Sequence, residues 1–442
     1  MTSLSVADWL KDTIDTIKKD ARTAWDAQST VERITTVLLA VMIIGGLLLR
    51  IQGVAGPTSY TFDEEPFVRN AHNYAVGLPD TNDHPPLGKI FIGLGMALFG
   101  FNSLGWRFIP LCFGLQTVVL AYWIGRTVFA DRRAGWMAAA FIAADGFFIS
   151  YSRSGLLDGM MVCLALWGVL VAVVSQSWRG VLASAVLIGL STSIKWSGIV
   201  AVIPAGTALL MYRRVPLHAI LWLGLAPVVH LLVWMGALWM TGQKSDPVST
   251  WNVIVGLYKH HLDLGHYKNE LSSSWWGWPI LRKPVVVKLS DAGLLHRYSS
   301  SMGNLLFWCT VTLSMLALPI SALVIALRTR LKRYWFTYFG PQVTKAALLM
   351  TLGWFTFIAP WIATSSTRGK YTFSHYYLPC YAFGLIMLAG FGSYIERKRP
   401  RWIVEFIGVA LVVSIYYAPV WGEFAMSSAA ANHRFFVPAW RP

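Results

Sequence analysis

Apolar runs long enough to cross a bilayer recur from residue 33 to residue 421, and no other feature restricts the fold of this chain so strongly. A helix rising 1.5 Å per residue needs about 20 apolar residues to span the hydrocarbon core. Inside that core the backbone must satisfy its own hydrogen bonds, so such runs are helices. Candidate spans lie near 33–53, 107–129, 134–150, 156–174, 181–196, 198–212, 217–240, 305–327, 346–364, 375–395 and 402–421. With 55% hydrophobic and 13% charged residues, a soluble all-α enzyme is excluded. The expected fold is an all-α polytopic membrane protein with about eleven transmembrane helices.

The net charge of +16 does not point to nucleic acid, because Lys and Arg gather in short loops between the apolar runs. Such clusters set topology and attract anionic lipid. Arg132-Arg133, Arg213-Arg214, the 328–345 loop and Arg397-Lys398-Arg399 with Arg401 fall on one side of the eleven-span arrangement. That side is expected to be cytoplasmic, with the N-terminus inside and the C-terminus outside. Residues 1–32 begin with helically spaced apolar positions from Leu4 to Trp25, an amphipathic helix on the cytoplasmic membrane surface. No cleavable signal peptide is expected, because this segment is polar and the first apolar run is a full span. Residues 87–101 form a short apolar run opened by Pro85-Pro86, read as an interfacial or shallow re-entrant helix. Cys112, Cys163, Cys309 and Cys380 each stand alone in apolar surroundings, as small buried hydrophobes.

This topology divides the chain into an N-terminal transmembrane module at 33–240, an outer loop at 241–304 and a C-terminal four-helix module at 305–442. The first outer loop, 54–106, carries adjacent carboxylates, Asp63-Glu64, then His84-Pro85-Pro86. Carboxylates beside hydrocarbon are costly unless paired, hydrated or used. Asp63 suits a base or orienting group for a hydroxyl nucleophile, with Glu64 as its support, or else an N-cap for a helix starting near Pro66. Arg107, Arg153, Lys195, Arg368 and His375 emerge on the same face, where positive charge is usually sparse, and so suggest an anionic ligand. Arg107 and Lys195 equally fit snorkelling side chains. Arg153 and Asp158 are spaced for a structural ion pair or for substrate contact. Trp275 and Trp276 suit either sugar stacking or an interfacial aromatic belt. His260 and His261 read as solvated helix residues. His84 has no partner at metal-ligand spacing, so no metal and no cofactor is expected.

Five segments in order resemble the protein O-mannosyltransferase family. They are TFDEEPFVRNAHNY with NDHPPLGKIFIGLGMALFG and WRFIPLCFG; ADGFFISYSRSGLLDGMM; LIGLSTSIKWSG; HYKNELSSSWWGWPILRKP with GNLLFW; and RGKYTFSHYYLPCYAFGLIML. The likeness covers most of residues 55–390. It implies the GT-C glycosyltransferase fold, a polyprenyl-phosphate-mannose donor and Ser/Thr hydroxyls of proteins as acceptors. It also implies Asp63 as catalytic base and Arg107 on the donor phosphate. Beside it, the residues at the outer face that are expected to contact donor phosphate or sugar are Arg153, Asp158, Lys195, Arg368, His375 and Tyr376. Aminoarabinose transferases are similar at His84 but carry Lys-Pro-Pro, which implies a phosphate neighbour for a protonated His84. His266, Tyr267, Trp275 and Trp276 match the family's second-loop motif, though the family's His-Pro-Tyr is here His266-Tyr267. The soluble MIR domain of eukaryotic members is missing from the second loop, which points to a bacterial member in the cytoplasmic membrane; eukaryotic members pair, which makes a dimer an expectation here. Two other functions share these features: a GT-C transferase acting on lipid or glycan, and a transporter or flippase.

Overall fold

The computed structural model describes residues 25–26, 28–56, 58, 60–61, 63–80, 83–212, 215–263, 269–292, 295–327, 332–364 and 372–441. Most of the amphipathic segment expected over residues 1–32, together with His266, Tyr267 and Arg368, lies outside the described residues.

Helices dominate, and each of the eleven apolar runs falls on helix. Among the described residues, seven helices are long and apolar enough to cross a membrane: Thr30–Ile51, Ser103–Phe129, Leu157–Val174, Leu217–Met240, Gly340–Ala363, Ser374–Glu396 and Pro400–Trp421. An eighth span results if the bent pair Arg132–Ala144 and Gly146–Ser152 is counted once. Of the other three runs, two fall on shorter apolar helices, Trp178–Ile194 and Trp196–Tyr212, and the third on the 23-residue helix Leu305–Leu327. Leu87–Phe99 is a helix of 13 residues, about 20 Å long, too short for the hydrocarbon core as expected.

The 65° bend has a local cause. Asp145 ends one helix and starts the next, accepting the Phe147 and Phe148 amides at 2.9 and 3.4 Å. Its other oxygen takes the Asn304 amide at 2.8 Å and the Tyr381 hydroxyl at 2.9 Å. On the other side of the break the buried Arg50 guanidinium donates to the Ile142 carbonyl at 2.8 Å and the Ala143 carbonyl, and to the Ser152 hydroxyl at 3.1 Å. An acid caps the new N-terminus and a base covers the old C-terminal carbonyls, so the interrupted backbone stays paired. Gly146 is required here because a Cβ would lie 1.8 Å from the Trp421 ring. The break redirects the chain so that residues 151–158 reach the site described below.

Two of the basic clusters, Arg132-Arg133 and the one at Arg397, meet at one end of the bundle. Arg133 binds Glu396 at 3.0 Å, the Thr36 hydroxyl at 2.7 Å and the Glu32 carbonyl at 2.9 Å, while Arg397 reaches Asp131 at 3.1 Å. Residues 241–304, read from sequence as an outer loop with helix at His260 and His261, hold structure of their own. They contain a helix, Pro247–Asp263, and an antiparallel hairpin of β1 (Val286–Ala292) and β2 (Leu295–Ser300), registered Val286 to Ser300. A short β3 (Met426–Ser427) after the last span pairs with Leu295 and His296. The C-terminal segment and the 241–304 segment are therefore hydrogen-bonded on one face.

Candidate active site

Asp63 is the N-cap residue of the Glu64–Ala75 helix, yet its side chain makes no capping hydrogen bond. The carboxylate is half-buried instead, in the field of Lys195 and Asp158. Burial pushes its pKa up to about 7; Lys195 opposes this and Asp158 adds to it. A carboxyl that titrates near neutrality suits proton transfer from a hydroxyl. The structure thus separates the two readings of Asp63: the backbone is at the cap, but the carboxylate is not spent there.

Glu64 is fully buried and bound on all sides. It takes Arg107 bidentately, Nε to Oε1 at 2.8 Å and Nη2 to Oε2 at 2.7 Å. It also accepts the Gly155 amide at 2.6 Å and the Thr61 amide at 2.8 Å. This fork geometry is among the stronger charge-assisted pairings. Glu64 therefore fixes the backbone of its neighbour Asp63 against the Ser103–Phe129 helix and the turn after Ser152. Arg107 is 1% exposed, so it is no snorkelling residue.

The ion pair considered between Arg153 and Asp158 does not form. Arg153 donates to the Leu49 carbonyl at 3.0 Å and faces Glu423 at 3.7 Å. Burial lowers the pKa of Arg153 and raises that of Glu423, so this pair is a desolvated anchor. Asp158 instead binds Lys195 at 2.8 Å. Lys195 stands in extended backbone where the Trp178–Ile194 helix gives way to a 3-10 turn, and its ammonium lies 4.6 Å from the Tyr376 ring centre. Close packing brings these parts together: a Cβ at Gly88 would meet Leu157 at 2.6 Å and Ile194 at 3.0 Å.

Lys195 opens onto a small hollow lined by His84, Pro85, Lys195, Trp196, Ser197, His261, Trp361 and Tyr376. Two aromatic walls flank it. Trp361 stacks on Tyr376 at 4.1 Å, and His261 lies 5.3 Å from Trp196 and 5.7 Å from His84. His375 is buried against Phe373, Tyr151 and Tyr376. Burial, then Lys195, His261, Lys89 and His375, hold His84 well below its ordinary pKa. These surroundings favour its neutral form, whereas the comparison with Lys-Pro-Pro implied a cation beside phosphate. Beneath it, buried Lys89 binds the His84 carbonyl at 2.6 Å and pairs with Asp80, which accepts the Tyr74 hydroxyl at 2.7 Å.

Sequence reasoning missed His261, Trp196, Trp361 and Lys89. His260 is indeed half-exposed, 3.3 Å from Asp83, but His261 turns inward and meets the Asp83 carbonyl at 2.6 Å. Spacing held a signal, since consecutive helix residues point about 100° apart and only one of the two faces solvent. Trp275 and Trp276 are not among the residues lining the hollow. Trp276 is 46% exposed beneath Arg282, 4.5 Å away, while Trp275 packs half-buried. Their segment docks on the C-terminal half, where the Ser273 amide donates to the Thr372 carbonyl at 2.7 Å. Among the described residues, no three His, Cys, Asp or Glu side chains converge on a metal position.

Comparison with known proteins agrees with this architecture. Residues 83–239 match the family described as dolichyl-phosphate-mannose-protein mannosyltransferase. Residues 249–435 match the C-terminal four-transmembrane region of protein O-mannosyltransferase, so the two together take in most of the chain. A polyprenol-phosphate-mannose–protein mannosyltransferase of Mycobacterium tuberculosis is 24% identical over 81% of each chain. Its counterpart in Corynebacterium glutamicum is 22% identical over 92% of this chain and 94% of its own. Among solved structures, the S. cerevisiae protein O-mannosyltransferase Pmt1-Pmt2 complex bound to the sugar donor superposes with a TM-score of 0.74 at 13% identity, covering 92% of this chain and 93% of that one. ArnT from Cupriavidus metallidurans reaches 0.50 at 16% identity, over 90% of this chain and 65% of its own. The chain belongs to the protein O-mannosyltransferase family and has its GT-C fold.

Proposed function

We propose that this protein is an inverting glycosyltransferase that moves mannose from a polyprenyl-phosphate-mannose donor to Ser or Thr hydroxyls of proteins. The observation that carries this reading is Asp63, a half-buried carboxylate not spent on capping, in the field of Lys195, which itself lines an aromatic-walled hollow. In the step we envisage, the hydroxyl oxygen attacks the anomeric carbon while Asp63 takes its proton. The bond from that carbon to the phosphate oxygen breaks, and the polyprenyl phosphate departs with the electron pair. Lys195, held at Asp158, offers charge to the departing phosphate, and Arg107, held by Glu64, shapes the wall behind Asp63. Tyr376 and Trp361 offer the apolar face on which a sugar ring stacks. His375 and Arg153 act through position, the first behind Tyr376 and the second at the turn leading to Asp158. Catalysis runs without a bound divalent ion, and a chelator leaves the rate unchanged.

The reading extends to location. Positive charge clustered at Arg132-Arg133 and Arg397 supports a cytoplasmic position for that end of the bundle, with the N-terminus, and an outer-face position for the site. A bacterial cytoplasmic membrane is the setting, membrane lipid the surround, and pairing with a second chain is consistent with the fold neighbour being a complex. The test is transfer in vitro from one labelled lipid-linked mannose to peptide, lipid and glycan acceptors. Label on the peptide Ser or Thr supports the reading, and label on lipid or glycan alone, or transport without transfer, overturns it.

A further inference from the structure

The Pro247–Asp263 helix has three faces. Thr250, Ile254, Leu257 and His261 turn to the body of the protein, with Thr250 fully buried and His261 at the hollow. Asn252, Val253, Gly256, Lys259 and His260 make a mixed, exposed face. Between them runs a third row, Val248, Trp251, Val255 and Tyr258, spaced three, four and three residues apart and so on one stripe. Val248 is 71%, Trp251 59% and Tyr258 53% exposed.

Such a stripe on a helix of 17 residues, too polar to span, needs an apolar cover. Continuity identifies that cover. The helix follows directly on the Leu217–Met240 span, whose own exposed apolar surface runs through Leu232 and ends at Trp239 and Met240. The intervening Thr241–Asp246 turn carries Lys244 and Asp246, groups suited to the headgroup layer. The far end of the same helix reaches the hollow: Tyr258 lies 5.9 Å from Trp196, and His261 forms part of the wall.

We infer that the Pro247–Asp263 helix lies on the bilayer surface, its Val248–Trp251–Val255–Tyr258 stripe set among lipid acyl chains, and forms the lip over which a lipid-linked substrate enters the hollow. The lipid contact stands on this geometry alone, whereas the role as a lip rests on the proposed lipid-linked donor. One face dissolves in the membrane, one seals the protein, and the helix end positions His261. A donor arriving from the bilayer then meets Trp196 and Lys195 without crossing water.

Spin labels at Val248→Cys, Trp251→Cys and Val253→Cys, in full-length protein in phosphatidylcholine–phosphatidylglycerol nanodiscs, test the surface contact. Positions 248 and 251 are expected to be more accessible to oxygen than to a water-soluble nickel complex, with the reverse at 253. Preference for nickel at 248 and 251, or protection from both reagents by a second protein copy, overturns the inference. The lip is tested separately by Val248→Glu/Trp251→Glu. A several-fold higher KM for a long-chain donor, with kcat and the KM of a short-chain water-soluble donor analogue unchanged, supports it; an unchanged long-chain KM overturns it. Should transfer from lipid donors fail altogether, the accessibility pattern still judges the lipid contact by itself.

Discussion

Asp63 and Glu64 are adjacent, alike in chemistry and opposite in circumstance. Glu64 has four hydrogen bonds and a buried arginine, while Asp63 is left uncapped with its pKa raised to about 7. Asp63→Asn is expected to lower the turnover number by about 10²–10⁴-fold, the usual contribution of a positioned acid–base group, with donor binding retained. Undiminished turnover in that variant would remove Asp63 from the chemistry. The sign of the pH dependence follows from the shift: the ionised base is present above about pH 7 and is lost as pH falls through that value. kcat/KM in the wild-type protein should therefore fall on the acid side with an apparent pKa near that value, measured from pH 5 to 9. Glu64→Gln leaves Arg107 buried without its counter-charge, a loss of about 3–5 kcal/mol for broken buried pairs. A thermal midpoint in detergent equal to that of the wild type would show that the clamp is dispensable.

At the scale of elements, the site is made by interruptions in helices. The Asp145 break turns residues 151–158 inward, the extended backbone at Lys195 releases its side chain to Asp158, and Pro85-Pro86 begin the helix under His84. None of these interruptions is legible as an apolar period, which is why residues 134–150 read in sequence as one span. Arg50 and Asp145, both fully buried, hold the break open with charge inside the bundle. Arg50→Met removes the covering of the Ile142 and Ala143 carbonyls and is expected to cost about 3 kcal/mol or more, the range for hydrogen bonds to charged groups lost in a buried setting. It should also slow transfer, because the turn carrying Arg153 and Asp158 loses its support. Stability and activity both at wild-type level would mean that the break needs no charge to persist.

Across the whole molecule, two sets of contacts define two ends. Arg133 with Glu396 and Arg397 with Asp131 gather at one; β2 with β3 and the hollow gather at the other. Membrane-impermeant maleimide is expected to label Lys288→Cys in intact cells and to leave Arg397→Cys unlabelled until the membrane is opened. The reverse pattern would invert the proposed topology and place the site in the cytoplasm.

Composition and order of residues determined that this chain lives in a bilayer, roughly where its helices run, and which five segments matter. Those properties are local or additive: hydrophobic length is counted along the chain, and the segments are read in register. Only tertiary structure decided which charges pair. Arg107 took Glu64, Arg153 took Glu423 and Lys195 took Asp158, across separations of 43, 270 and 37 positions that no spacing rule anticipates. A buried charge is stabilised by the counter-charge that packing places within reach, and packing is settled by all the helices at once. The same cause left His261 unrecognised. Which face of a helix meets a cavity depends on its neighbours, and those are brought together only when the bundle closes.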